Sequence, residues 1–386
     1  MSEFELGAVR DSTRGPDSDR GVLAMSGLGE VGRFGNQIFQ YAFLRICAKV
    51  SGMSVETAPW IGQDLFGHND PPISRELEYL VENDFGFEVV LEILPELLPF
   101  LEKRRGRKSR RIGVDGMVHG LPSGDVYGVF QPHTRHFRPH KDFFRSLFKP
   151  QEDLRPWLDE PLTLLRERGK TVVAIHLRTG DYTWLPHLAW VLVVPPEWWA
   201  EWLESIWGDL DDPVLYLCSN DVGSVRRCFQ KFNPVTAEDL KVPPPERLRG
   251  KSVDFYRDYH VLTQADVVGV SNSSFSFSAA MLNERARTFV RPHWDFETRF
   301  TSFDPWDAYP LLFVDDPESI SRKGYLKMLR TARETSGLKG AALAALLYHP
   351  VGSAAALGVR LKLARYVSGW RGVRDVLLGR TVRPVT

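Results

Sequence analysis

Short apolar runs alternate with segments of helical spacing throughout the second half of this 386-residue chain. The runs predicted as strands are Thr171–Ile175, Val214–Cys218, Val267–Val270 and Thr288–Val290. The segments predicted as helices are Pro196–Trp207, Val222–Phe229, Ser252–Thr263 with Ser252 as its N-cap, and Phe275–Leu282. Strands that alternate with helices favour a mostly parallel sheet with right-handed crossovers. The pattern therefore predicts an α/β fold.

The first half of the chain shows the same theme with longer interruptions. Val22–Met25 is predicted as a strand, Phe34–Val50 as a helix and Ser54–Thr57 as the next strand. Because a chain of this length exceeds what one compact core accommodates, we predict two Rossmann-like lobes that face a central cleft. The predicted divisions are a disordered lead-in at 1–20, an N-terminal lobe at 21–168, a C-terminal lobe at 169–315 and a basic helical tail at 316–386.

The zero net charge conceals an asymmetry between the body of the chain and its tail. Residues 321–386 carry 13 Lys and Arg but only two acids, Glu334 and Asp375. Apolar stretches of helical character lie at Ala341–Tyr348 and Ala354–Trp370. A basic amphipathic segment is suited to contact an anionic membrane surface. The alternative is a helical appendage that packs on the acidic body or on a partner subunit.

Composition and motifs exclude several classes of protein. The polar start has no apolar core of a signal peptide, which predicts a cytoplasmic location, peripheral at most at the inner face of the membrane. Three cysteines are too few and too scattered for a disulfide framework or a zinc site, and Cys47 and Cys218 lie in apolar runs. The basic run Lys103–Arg111 has no interleaved aromatics, so we expect no nucleic-acid partner. No P-loop motif is present, which argues against ATP hydrolysis of that kind.

The run Val172–Tyr182 begins as an apolar strand and ends in charged and titratable side chains. Its β-branched residues predict a strand of a parallel sheet, and the strand ends in His176, Arg178 and Asp181. In α/β sheets, ligands bind outside the carboxyl ends of the strands. Because Arg presents a fork of donors that matches phosphate, the expected ligand is an anion.

A glycine-rich segment connects the first strand to the first helix: Gly27-Leu28-Gly29-Glu30-Val31-Gly32-Arg33-Phe34-Gly35-Asn36-Gln37. Glycines allow close approach of a ligand, and the N-terminus of the following helix favours anions. The first three glycines fit a dinucleotide fingerprint, but the acidic residue expected about 20 positions later is missing, since Glu56 comes too late. Nicotinamide binding therefore stays an alternative. The amides of Asn36 and Gln37 suit sugar hydroxyls.

Two further strands end in polar groups. Ser219-Asn220-Asp221 follows one strand, and Asp221 is suited either to contact a ribose or base or to cap the next helix. Ser271-Asn272-Ser273-Ser274-Phe275-Ser276 joins another strand to a helix. Hydroxyls and backbone amides at a helix N-terminus favour phosphate binding over a simple cap, because a cap requires only one of these residues.

In chain order these segments resemble the motifs of the bacterial α-1,2-fucosyltransferases, glycosyltransferase family 11. The matching segments are Gly32-Arg33-Phe34-Gly35-Asn36-Gln37 with Phe39-Gln40-Tyr41-Ala42, Gly128-Val129-Phe130-Gln131, His176-Leu177-Arg178-Thr179-Gly180-Asp181-Tyr182, Ser219-Asn220-Asp221 and Asn272-Ser273-Ser274-Phe275-Ser276. The resemblance covers roughly Gly21–Trp294. Several modest motifs in the same order are improbable by chance.

The resemblance implies a GT-B type fold, with an acceptor-side N-terminal lobe and a nucleotide-sugar-binding C-terminal lobe. It implies that the enzyme transfers L-fucose from GDP-fucose, as co-substrate, to a hydroxyl of a glycan, with galactose O2 as the expected acceptor atom. Inversion at the anomeric carbon and independence of metal and other cofactors belong to the same expectation. Polysaccharide or O-antigen synthesis at the cell surface is the implied setting.

The resemblance also assigns roles to individual residues. Arg178 would contact the donor phosphates, with His176 and Asp221 near the nucleotide. Ser273, Ser274 and Phe275 would form the phosphate-binding turn. We add to the donor-binding set Gly32, Arg33, Gly35, Asn36, Ser219 and Ser276. Metal independence agrees with the sequence, because neither Asp17-Ser18-Asp19 nor Asp209-Leu210-Asp211 ends a strand as a metal-binding motif would.

The general base and the acceptor contacts stay open at the sequence level. Asp181, Glu30 and His176 are candidates for the base, and for Asp181 we favour the alternative that it orients Arg178. The candidates for acceptor contact, each with packing as its alternative, are Trp60, His68, Gln131, Trp184 and His187.

Three departures from the family pattern leave alternatives. Thr179 replaces a second Arg, Glu30-Val31 is an insertion, and Phe277-Ser278 replaces two Trp. One alternative is a GT-B enzyme that uses another nucleotide sugar or acceptor. The other is a catalytically inactive, membrane-associated protein that binds nucleotide sugars.

Overall fold

The computed structural model describes residues 21–82, 108–179, 194–240, 242–292 and 300–312. The lead-in, Asp181, Trp184, His187 and the basic tail lie outside the described residues. The predictions that concern them stay predictions.

The N-terminal lobe is built on a parallel sheet of five strands. The strands are β1 (Val22–Met25), β2 (Ser54–Thr57), β3 (Tyr79–Glu82), β4 (Ser109–Ile112) and β5 (Gly124–Tyr127), in the spatial order β2-β1-β5-β3-β4. All neighbouring strands run parallel. β1 is buried along its whole length, as expected for a strand covered on both faces. The carboxyl ends of these strands therefore meet at one edge of the sheet.

The C-terminal lobe has a second sheet of five strands. They are β6 (Thr171–Leu177), β7 (Pro213–Ser219), β8 (Val267–Gly269), β9 (Thr288–Pro292) and β10 (Phe300–Ser302), in the order β10-β9-β8-β6-β7. Only β10 pairs antiparallel within this described sheet. The prediction of an α/β fold with two parallel-sheet lobes is confirmed.

Ten α-helices lie within the described ranges. They are α1 (Phe34–Ser51), α2 (Ile61–Phe66), α3 (Gly116–His119), α4 (Lys141–Leu147), α5 (Arg155–Arg168), α6 (Pro196–Trp207), α7 (Val222–Val225), α8 (Ala237–Leu240), α9 (Phe255–Gln264) and α10 (Ser274–Leu282). None of the helices in the described part of the chain is both long and apolar enough to cross a membrane.

The lobes pack closely against each other through α1 and α10. The ring of Phe34, at the start of α1, lies 4.8 Å from Phe255 and 4.9 Å from Tyr259 of the other lobe. Aromatic pairs at such separations stabilise an interface beyond simple area burial. This packing explains why most of α1 is buried, although it is the helix that opens the N-terminal lobe.

Some predicted boundaries were wrong for local reasons. The helix predicted from Ser252 begins at Phe255, because the backbone from Leu248 to Val253 forms tight turns first. The helix predicted over Val222–Phe229 is a short α7 that continues as a 3₁₀-helix over Arg226–Phe232. The stretch after Pro59 contains α2 and leads into β3.

Candidate functional site

His176 lies at the carboxyl end of β6, with only 4% of its surface exposed. Its Nδ1 is 2.8 Å from Oγ of Ser271, and its ring centre is 5.1 Å from that of Phe275. Burial, with the charge of Arg178 as a smaller cause, lowers the pKa of His176 to about 3. The ring is therefore neutral at neutral pH, and it joins the end of β6 to the serine-rich turn.

The serine-rich turn, residues 271–276, leads from β8 into α10. Ser273 is the N-cap, and its Oγ accepts a hydrogen bond from the backbone N–H of Phe275 at 3.4 Å. Ser276 is fully buried, and its hydroxyl lies 3.4 Å from that of Ser271. The hydroxyls of Ser271 and Ser276 thus build the turn, while the first N–H groups of α10 provide the positive end of a helix dipole.

Arg178 lies two residues after His176, just beyond the end of β6. A cavity beside the end of β6 is lined by Leu177, Arg178, Val194, Trp199, Ser271 and Pro292. Since Ser271 also contacts His176, the cation and the serine-rich turn are neighbours in space. That both motifs bind one ligand stays a prediction.

The ends of β6 and β7 are tied together by Thr179 and Asn220. Oδ1 of Asn220 accepts the backbone N–H of Thr179 at 3.0 Å, and its Nδ2 donates to the Thr179 carbonyl at 3.4 Å. The hydroxyls of Thr179 and Ser219 lie 3.3 Å apart. The buried Thr179 is thus held at the end of β6 by the side chain of the exposed Asn220.

Asp221 occupies the position of a helix cap. Its side chain is exposed and accepts the backbone N–H of Ser224 at 3.3 Å, at the start of α7. The capping alternative therefore describes its observed contact. A donor contact by Asp221 stays a prediction, because its carboxylate is open to the solvent.

The glycine-rich segment meets the serine-rich turn across the interface between the lobes. A Cβ on Gly35 would lie 2.4 Å from the backbone nitrogen of Phe275, so only glycine fits there. Oδ1 of Asn36 accepts two hydrogen bonds, one from the Ser274 hydroxyl at 2.6 Å and one from the Gln131 amide at 2.8 Å. The first turns of α1 and α10 therefore converge on one place.

The other polar groups of the glycine-rich segment differ in exposure. Glu30 and Arg33 are exposed, and the backbone of Arg33 forms the N-terminal boundary of α1. Gly32 adopts a φ of 77°, and its carbonyl accepts the side-chain amide of Gln37 at 3.3 Å. The amide of Gln37 thus holds the turn itself, whereas we had predicted that it suits a sugar hydroxyl.

Three candidates for acceptor contact lie within the described residues. Trp60 is 5% exposed and packs against Tyr41, with ring centres 4.8 Å apart. His68 donates from Nε2 to the carbonyl of Leu147 at 2.7 Å, and burial lowers its pKa. Both side chains therefore serve packing, the alternative left open for them. Gln131 lies at the interface between the lobes, beside Asn36.

Sequence reasoning missed the role of Asn272. Its Nδ2 donates to the carbonyl of Leu312 at 3.0 Å, and its Oδ1 accepts the N–H of Leu312 at 2.8 Å. This reciprocal pair anchors the last described segment, residues 300–312, beside the serine-rich turn. No local signal could have revealed it, because the partner is 40 positions away.

Within the described ranges, no group of three or more His, Cys, Asp or Glu side chains has the geometry to hold a metal ion. Arg178 and the N-terminal turns of α1 and α10 are the groups suited to an anionic ligand here.

Comparison with known proteins identifies no matching family model and no matching curated sequence. Among solved structures, the chain is similar to the fucosyltransferase NodZ from Bradyrhizobium, at 14% identity and a TM-score of 0.45, over 75% of this chain and 100% of that one. It is also similar to POFUT1 in complex with GDP, at 10% identity and a TM-score of 0.41, over 70% and 98% of the two chains. A mutant of FUT1 from Arabidopsis thaliana in complex with GDP matches at 12% identity and a TM-score of 0.41, over 77% and 75%.

Proposed function

We propose that this protein is a glycosyltransferase that transfers L-fucose from GDP-fucose to a hydroxyl of a glycan, with inversion and without a metal ion. The observation that supports the proposal best is the convergence of Arg178, the serine-rich turn and the start of α1. His176 connects the first two through Ser271, and Asn36 connects the last two through Ser274. Galactose O2 is the acceptor atom that the sequence resemblance favours.

The site is suited to a diphosphate. Arg178 offers a permanently charged fork of donors, and the first turn of α10 offers backbone N–H groups in a positive helix-terminal field. The start of α1 supplies a second helix N-terminus beside the first. In the proposed complex these groups hold the donor phosphates and stabilise the negative charge that develops on the leaving group.

The proposed reaction is a direct displacement. The acceptor oxygen attacks the anomeric carbon, the bond between that carbon and the phosphate oxygen breaks, and GDP leaves with the electron pair. The proton of the acceptor hydroxyl passes to a carboxylate. We assign this step to Glu30 or Asp181 rather than His176, because a buried imidazole with a pKa of about 3 is a weak base.

Arg178→Ala tests the phosphate site. We expect it to weaken GDP binding by at least tenfold, since a charge-assisted contact contributes about 1.5–3 kcal/mol. Calorimetric titration of wild type and variant with GDP measures this directly. The matched control is Arg168→Ala, exposed on the last turn of α5, which should bind GDP as wild type does. Equal GDP affinity of the Arg178 variant would remove Arg178 from the proposed site.

A panel of donors and acceptors tests the finer assignment. GDP-fucose, other GDP-sugars and UDP-sugars are titrated, and fucosyl transfer to galactosides and other glycans is measured by mass spectrometry. The proposal expects preferential binding of GDP-fucose and product on a galactoside. Preference for a UDP-sugar would support another GT-B transferase instead. Binding without transfer to any acceptor would support the catalytically inactive alternative.

A further inference from the structure

A buried carboxylate lies at the carboxyl end of β3, outside the residues assigned to the proposed phosphate site. Glu82 ends β3, and only 6% of its surface is exposed. Its Oε2 accepts two consecutive backbone N–H groups, from Val129 at 2.8 Å and from Phe130 at 3.0 Å. Consecutive backbone N–H groups form a small concave site for an anion, and here the protein supplies that anion itself.

The loop that Glu82 holds has an unusual backbone. Phe130 adopts a φ of 50°, in the left-handed region that a bulky residue rarely occupies. Its buried ring stacks on Phe43 with centres 4.0 Å apart. A Cβ on Gly128 would lie 2.4 Å from Oε2 of Glu82, so this position requires glycine. Backbone strain of this kind persists where surrounding contacts fix it, and it clusters at functional sites.

The loop delivers Gln131 to the interface between the lobes. Nε2 of Gln131 donates to Oδ1 of Asn36 at 2.8 Å, and the same oxygen accepts the hydroxyl of Ser274 at 2.6 Å. With two donors on its oxygen, the orientation of the Asn36 amide is fixed, and its NH₂ group lies on the side of Gly32. The contacts therefore run from Glu82 through the strained loop to Asn36 and the serine-rich turn.

We propose that Glu82 is a positioning residue for the nucleotide-sugar site. Its carboxylate fixes residues 128–131, so that Gln131 and Asn36 hold the glycine-rich segment in register with the serine-rich turn. This inference rests on the proposed function for the identity of the ligand, GDP. The coupling between Glu82 and Gln131, however, is a property of the free protein.

The first measurement is GDP affinity by calorimetry. We expect Glu82→Ala to weaken GDP binding about tenfold, and Glu82→Gln, which keeps an acceptor oxygen for both N–H groups, to stay within about threefold of wild type. Gln131→Leu, at a partly buried position, should weaken binding by a similar factor without disturbing the core. A merely structural role would lower the folded fraction, and hence the stoichiometry or kcat, while Kd and the donor KM stayed unchanged.

Glu56→Ala is the matched control. Glu56 is also a buried carboxylate of this sheet, and it holds a loop by accepting the N–H and the hydroxyl of Ser74 at 2.9 and 2.8 Å. None of these contacts leads to Asn36. The control should lose stability comparable to Glu82→Ala but bind GDP within about twofold of wild type.

A double-mutant cycle tests the route. If Glu82 acts through Gln131, the double variant Glu82→Ala, Gln131→Leu binds GDP no more weakly than Glu82→Ala alone, whereas independent sites would give multiplied effects. The same four proteins, compared by the free energy of urea unfolding, measure the coupling between Glu82 and Gln131 without any ligand. Multiplied effects in both cycles would overturn the inference. Absence of GDP binding by wild type would overturn the proposed function, and the unfolding cycle would then decide the coupling alone.

Discussion

At the residue scale, Thr179 is a buried residue whose backbone is held by a neighbouring side chain. Thr179 is buried between the ends of β6 and β7, and both of its backbone polar groups pair with the side chain of Asn220. These two hydrogen bonds use only the backbone of Thr179, whereas the small, buried side chain fills a space that a long cation would have to leave. The protein thus has one Arg at this strand end, and Asn220 fixes the backbone next to it.

Asn220→Ala removes both hydrogen bonds to the Thr179 backbone, and we expect GDP binding to weaken about fivefold because Arg178 loses its fixed backbone. Asn220→Asp keeps the acceptor for the Thr179 N–H and should recover part of the loss. Calorimetric titration with GDP compares the three proteins. The explanation fails if the Ala and Asp variants bind equally, or if both match wild type.

A second prediction at this scale concerns pH. The native pKa of His176 is lowered to about 3, whereas the ring titrates near 6.5 in the unfolded chain. Unfolding therefore takes up a proton below about pH 6.5, and the free energy of unfolding should fall by about 1.4 kcal/mol per pH unit from this group as pH decreases toward 3. His176→Gln lacks this component. Between pH 6 and pH 4.5, the free energy of unfolding, measured with urea, should depend less steeply on pH in this variant than in wild type. Parallel pH profiles of the two proteins would contradict the low pKa of His176.

At the scale of elements, two helix N-termini meet at the site. α1 begins beside Arg33 without a side-chain cap, and α10 begins with Ser273 as its cap. Like ends of two dipoles repel each other, so their close approach is unfavourable until an anion lies between or beside them. The packing of Gly35 on the backbone of Ser274 and Phe275 holds them together in the free protein.

Gly35→Ala tests this contact. A Cβ would lie 2.4 Å from one backbone atom and 2.6 Å from another, so the two helices must separate. We expect GDP binding to weaken by more than tenfold together with a loss of about 1–3 kcal/mol in stability. The control is Gly208→Ala, at the end of α6, where a Cβ meets no atom within 4 Å. Wild-type affinity in the Gly35 variant would show that the helix contact does not shape the site.

At the scale of the whole molecule, the lobes share a polar interface as well as an aromatic one. Arg145 of α4 donates to the carbonyls of Met281 and Asn283 at the end of α10, and pairs with Glu284 at 2.8 Å. A cation at a helix C-terminus complements the helix dipole. Thr134 of the N-terminal lobe also pairs with the backbone of Ala308, which belongs to the segment after β10. These contacts predict that the lobes unfold together.

Arg145→Ala should lower the free energy of unfolding by about 2 kcal/mol, because it leaves carbonyl groups at the end of α10 without their donor. Hydrogen exchange of amides in β1 and β6 reports the two lobes separately, and the protection of both should fall by the same amount. Arg155→Ala, which removes an exposed pair with Glu152, should change stability by less than about 1 kcal/mol. Loss of protection in one lobe alone would refute the joint unfolding.

The observed helices and strands agree with the predicted ones where residues close together in the chain decide the structure. Pro196–Trp207 is helical as predicted, and each predicted strand of the second half lies within one residue or two of its observed bounds. Apolar runs are buried, and proline and glycine end helices, regardless of which other element packs against them. The error at Ser252 arose because a serine before an apolar run resembles a cap, although the turns through Val253 delay the helix.

The amino-acid sequence by itself determined two α/β lobes and the polar residues at the ends of their strands, since strand and helix formation depend on neighbours along the chain. Only the tertiary structure decided which polar groups build the protein and which stay open to a ligand. Gln131 and Ser274 meet at Asn36 from 95 and 238 positions away, Trp60 is buried, and the ring of His68 bonds to the carbonyl of Leu147. The physical reason is that hydrogen-bond partners are fixed by distance and burial in space, which local sequence does not encode.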